Sequence, residues 1–134
     1  MSLDLNQIKK IYFIGIKGVA MSGLAVICKN RGVEVKGSDV SEKFITDKIL
    51  KTNKIEVFDF DKNNLTWQPD LVVVGASWHD DNVEVKYVKK NKIQFINESS
   101  LRGLLSQEKK TIAVTGIHGK TTTTAMLAHI FNKA

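Results

Sequence analysis

Towards the end of this 134-residue chain, Thr111-Ile-Ala-Val-Thr-Gly-Ile-His-Gly-Lys-Thr-Thr-Thr-Thr124 places an apolar run, two glycines, a lysine and a row of hydroxyls directly before a helix-forming segment. That order of residue types suits a phosphate. Gly116 and Gly119 expose backbone N–H groups, and the new helix aims the positive end of its dipole at the same point. Lys120 adds a mobile charge, and Thr121 offers a hydroxyl to Mg²⁺. The spacing departs from the strict Walker pattern, whose first glycine would fall at Val114; Gly116 supplies a turn closer in. His118 lies inside the loop, near where a γ-phosphate would sit, and either touches phosphate or acceptor or simply shapes the loop. Lys120 and His118 are therefore the candidate catalytic residues. The four threonines 121–124 are poor helix formers, which suggests tasks beyond propensity.

A second glycine loop, Gly15-Ile-Lys-Gly-Val-Ala-Met-Ser-Gly23, sits between an apolar run and a helical pattern. Against the dinucleotide fingerprint G-x-G-x-x-G/A, Gly15 and Ala20 fit, but Lys17 replaces the middle glycine that lets a pyrophosphate approach the backbone. This argues against a standard NAD site. Gly18 and Gly23 still leave a donor-rich turn, so a phosphate ligand is expected, with Lys17 available to neutralise it; the plainer reading is a tight turn with glycines for packing. Asp39, 24 residues after Gly15, is placed to accept hydrogen bonds from ribose hydroxyls, although Ser38-Asp39 is also good turn chemistry. Gly75-Ala-Ser-Trp-His-Asp-Asp81 is expected to touch a ligand through its backbone and Ser77. Its adjacent His79, Asp80 and Asp81 are poorly spaced to converge on one metal ion.

These loops need a scaffold that presents them together. Strands are predicted at Ile11–Ile14, Val33–Lys36, Ile55–Phe58, Leu71–Val74, Ile93–Ile96 and Ile112–Thr115. Helices are predicted at Met21–Asn30, Thr46–Lys51, Val83–Lys90, Ser99–Leu105 and Lys120–Asn132. Gly32 is the expected stop of the first helix. Strand–helix alternation with apolar strands implies an α/β fold, a Rossmann-like parallel sheet with helices on both faces. Ligands bind such sheets at the carboxyl ends of the strands. The polar stretch Ser106–Lys110 reads as a linker, giving a first domain over 1–106 and the start of a second over 107–134.

Composition is ordinary for a globular domain, with 43% hydrophobic and 25% charged residues. The net charge of +6 comes from scattered lysines without interleaved aromatics, so a solvated surface is expected rather than nucleic-acid binding. No apolar run is long enough for a membrane span, and no signal peptide is visible. Cys28, the only cysteine, excludes an internal disulfide and reads as buried and inert; a cytoplasmic location follows as the simple expectation. His129 reads as a surface or packing residue.

The two glycine loops together with Gly37-Ser-Asp39 resemble the N-terminal part of a Mur ligase, from about Lys9 to Ala134. Gly-Ile-His-Gly-Lys-Thr is similar to members that join L-alanine, or a recycled murein peptide, to UDP-N-acetylmuramate. The resemblance implies a three-domain, ATP- and Mg²⁺-dependent ligase of peptidoglycan synthesis. ATP phosphorylates the muramate carboxylate, the amine of alanine attacks the acyl phosphate, and phosphate leaves. It further implies that Gly15, Gly18, Ala20, Met21 and Ser22 face the UDP diphosphate and that Ser38 and Asp39 face the ribose. Gly75, Ala76 and Ser77 would lie near the ligand, and Gly119, Lys120, Thr121 and Thr122 would hold ATP phosphates and Mg²⁺. Two places depart from the family's usual loop, Lys17 and Ala20, and Ile117 stands where threonine is usual. Residues 107–134 would be only the β–P-loop–α opening of the ATP-binding domain. This chain alone is expected to have no ligase activity, and the apolar Met126, Leu127, Ile130 and Phe131 of its last helix are expected to pack in cis or through self-association. The competing readings are an NAD-binding oxidoreductase domain and a non-catalytic nucleotide-binding module.

Overall fold

The structure, a computed structural model, describes residues 3–134. Five strands, β1 Lys10–Ile14, β2 Glu34–Ser38, β3 Glu56–Phe58, β4 Leu71–Val74 and β5 Phe95–Asn97, form one parallel sheet in the order β3-β2-β1-β4-β5. The helices are α1 Val19–Asn30, α2 Asp47–Thr52, α3 Val83–Lys90, α4 Glu98–Gln107 and α5 Lys120–Lys133.

Alternation along β1 assigns its side chains to two cores. Ile11 and Phe13 pack with Met21, Leu24, Ala25 and Cys28 of α1, Leu50 of α2 and Leu101 of α4. Tyr12 and Ile14 face the other way, onto Val85 and Val88 of α3 and Leu65 of a 3-10 turn over Lys62–Trp67. Helices thus cover both faces. The α1 set recurs at helical spacing, and burial of the larger members, Met21 and Leu24, contributes about 1.5–3 kcal/mol each. Cys28 is buried, and burial pushes its thiol up to about 11, which keeps it unreactive.

Three strand starts fall later than the sequence prediction because helix ends claim the intervening residues. Gly32, at φ 84°, ends α1, and the Val33 N–H caps it by donating to the Cys28 carbonyl, so β2 begins at Glu34 and runs on to Ser38. In β3, Lys54 turns at φ 54° and the Ile55 N–H donates to the Leu50 carbonyl, so the strand starts at Glu56. Likewise Lys92 turns at φ 53° and the Ile93 N–H donates to the Val88 carbonyl, so β5 starts at Phe95.

The register sets the site. Ile14 lies level with Ser38 on one side and Val74 on the other. Gly15, Asp39 and Gly75, the next residues, therefore share one rim. The chain leaves β1 towards β2 on one side while β4 lies on the other, so this rim is the topological switch point.

The predicted last strand, Ile112–Thr115, is corrected: it is not a strand and adds no rung to the sheet. An apolar run becomes a strand only where a neighbour offers a ladder, and here it lies against α5 instead, where Ile112, Val114, Leu127 and Phe131 line a shared hollow. Ile112 is 60% exposed, and α5 has no buried residue.

Candidate functional site

The switch-point cleft, about 270 Å³, opens between the ends of β1 and β4. Its floor is the first glycine loop. Gly15 takes φ 84°, where glycine is favoured, and a Cβ there would lie 2.2 Å from Trp78 Nε1. The indole therefore sits on bare backbone, braced edge-on by Phe60 with ring centroids 4.5 Å apart. Gly18 caps α1 with no side-chain bond, and no acidic residue lies in the first turn. Among the described residues, the N–H groups of Val19, Ala20 and Met21 have no acceptor. They form, with the helix dipole, a ready site for an anion.

Asp39 is 5% exposed. One carboxylate oxygen accepts the Lys17 N–H at 2.7 Å and the other the Val40 N–H at 2.8 Å. It thereby fastens the glycine loop to the end of β2 while still lining the cleft, and each oxygen keeps lone-pair capacity for a ligand hydroxyl. Asp39 and Glu98 are the charged residues lining the cleft. An anion in this cleft would be met by backbone N–H groups, and the carboxylates suit hydroxyls.

Eight of the expected residues line this cleft: Gly15, Gly18, Ala20, Met21, Asp39, Gly75, Ala76 and Ser77. Three do not. Lys17 turns its amine away, to the carbonyls of Val40 and Glu42, both at 2.8 Å, so it does not neutralise an anion in the cleft. The Ser22 hydroxyl donates back to the Val19 carbonyl at 3.0 Å in its own helix. The Ser38 hydroxyl points beneath the sheet and donates to Glu84.

Glu84 was not legible as a site-building residue. It is fully buried, and its carboxylate also accepts from the Tyr12 hydroxyl at 3.1 Å, the Asn64 amide at 2.9 Å and the Asp61 N–H at 3.2 Å. Burial raises its pKa above the usual carboxylate range, partly offset by these donors, and burial likewise raises the Tyr12 hydroxyl. Its partners lie 72, 46, 20 and 23 positions away along the chain, beyond any local pattern. Val40 and Phe44 also line the cleft from a segment that the sequence left unremarked. Asp80 pairs with Lys89, which lowers its pKa, and among the described residues no group of three metal-ligating side chains forms.

The second loop is exposed throughout. Gly119, at φ 79°, caps α5 without a side-chain bond, and Lys120 Nζ donates to the Gly116 carbonyl at 2.8 Å. His118, Thr121 and Thr122 face solvent. An uncapped helix start, an adjacent ammonium and a free hydroxyl are the donor set a phosphate and its cation would use.

The description "Mur ligase family, catalytic domain" matches residues 10–110. The chain belongs to the Mur ligase family. It is 43% identical over 120 residues to a UDP-N-acetylmuramate–L-alanine ligase of Dictyoglomus turgidum, covering 90% of this chain and 26% of that protein. It is 45% identical over 134 residues to the enzyme so named in Clostridium acetobutylicum, covering 97% and 29%. Among solved Mur ligases, a murein peptide ligase from Psychrobacter arcticus superposes with TM-score 0.87 at 30% identity, covering 92% of this chain and 26% of that one. The UDP-N-acetylmuramate–alanine ligase of Thermotoga maritima gives 0.83 at 36%, covering 92% and 29%. The chain therefore spans between a quarter and a third of the length of these relatives.

Proposed function

We propose that this chain is the UDP-N-acetylmuramate-binding portion of an ATP-dependent Mur ligase that adds L-alanine to that sugar. The observation that carries the reading is the switch-point cleft, lined by Asp39 and by the start of α1 with its three unpaired N–H groups. The N–H groups suit a diphosphate, and the carboxylate suits ribose hydroxyls. The names of the relatives, UDP-N-acetylmuramate–L-alanine ligases, point the same way. Residues 1–106 form the sugar-binding unit in this reading, and 107–134 open the ATP-binding domain.

In the whole enzyme, ATP supplies the phosphoryl group that activates the muramate carboxylate. Lys120, Gly119 and the α5 N-terminus would hold its phosphates, with Gly116, His118 and Thr122 beside them, and Thr121 would offer its hydroxyl to Mg²⁺. This chain's part is binding and positioning. No helix among the described residues is long and apolar enough to cross a membrane, which is consistent with work in the cytoplasm.

Thermal-shift titration with UDP-N-acetylmuramate, NADH and ATP in parallel tests the assignment. The expected result is saturable stabilisation by the UDP-sugar, with none by NADH. Stabilisation by NADH alone would move the cleft to dinucleotide binding.

A further inference from the structure

Lys17 occupies the place where a dinucleotide loop carries its middle glycine, yet it is 9% exposed and sends its amine away from the cleft. Its ammonium gathers one segment of the chain. It donates to the carbonyls of Val40 and Glu42, lies 3.6 Å from an Asp47 oxygen and sits 5.7 Å from the Phe44 ring centroid. Its backbone joins the same neighbourhood: its N–H donates to Asp39 and its carbonyl accepts from the Thr46 hydroxyl at 2.5 Å. A solvated lysine would show none of this, and a phosphate-binding lysine would present its amine to the cleft.

The segment it gathers has little else to hold it. Residues 41–45 are exposed, with Phe44 at 46%, and none joins the two cores. Segments with few buried contacts open readily. Yet Val40 and Phe44 line the cleft. We propose that Lys17 is a positioning residue that latches the 40–46 strap onto the glycine loop, so that Val40 and Phe44 stand preformed as one wall of the cleft. The choice of ligand in the test rests on the UDP-sugar reading above; the latch itself does not.

Lys17→Met keeps the length of the stem and removes the ammonium contacts. Two readouts on the 134-residue chain decide the matter. Amide hydrogen exchange at Val40, Phe44 and Asp47, whose N–H groups donate to Asp39, Asp47 and Phe44 at the ends of the strap, should accelerate about tenfold or more, while β1 and β4 hold their rates. The dissociation constant for UDP-N-acetylmuramate should rise about tenfold as the wall loses its preorganisation. Unchanged exchange in the strap overturns the latch, and faster exchange with unchanged affinity overturns the positioning role. Thr46→Val, which removes the hydroxyl bond from the strap side, should move both readouts the same way and decides the question if Lys17→Met does not fold. Should the wild-type chain not bind the UDP-sugar at all, the substrate reading falls, and strap exchange alone decides the latch.

Discussion

Asp39 does two jobs in one carboxylate. It accepts the N–H groups of Lys17 and Val40, and it faces the cleft where a ribose would lie. Asp39→Ala is therefore expected to weaken UDP-N-acetylmuramate binding by more than about tenfold, and to destabilise the fold by about 1–3 kcal/mol through two lost charge-assisted bonds. Calorimetric titration and urea unfolding measure the two losses; an unchanged affinity would show that the carboxylate only braces the loop. Position relative to Gly15 was enough to single out Asp39 in the sequence. Ser38 and Ser22 show the limit of that method. Neighbours along a chain share a loop but not a direction, and both hydroxyls turn away from the cleft.

At the level of elements, Glu84 ties α3 to the middle of β1, to the end of β2 and to the 61–64 segment. Its folded-state pKa lies above the ordinary 4.5 because burial penalises the charge. The stability it contributes is thus fully present below pH 4.5 and is lost as pH rises through the raised folded value. Glu84→Gln removes this titration. The stability of the wild type relative to that variant should fall on going from acid to neutral pH, as read from urea unfolding at each pH; a constant or growing difference would contradict the assignment. Apolar runs and helical spacing made the five sheet strands and the helices legible, because each repeats a local period. The network around Glu84 was not, since its members meet only once the sheet has formed. Ile112–Thr115 failed for a related reason: its local pattern suits a strand, but a strand needs a partner.

Across the whole molecule, burial ends with α4. Both cores lie within the sheet and its helices, and no residue of 111–134 is buried. Removing residues 111–134 should leave the remaining sheet domain folding cooperatively, with a melting temperature within about 2 °C of the parent; a fall of more than about 5 °C would show that α5 supports the core. The same division separates the two glycine loops, with the cleft of the first built into the packed sheet and the second exposed on its own helix. Whether the switch-point cleft holds the UDP-sugar, as proposed, is decided by amide chemical-shift mapping of UDP-N-acetylmuramate on the isotope-labelled chain. The largest shifts are expected at Gly15, Gly18–Met21, Asp39 and Gly75–Ser77. Shifts centred on Gly116–Thr122 with the first loop silent, or none at saturating ligand, would contradict the proposal.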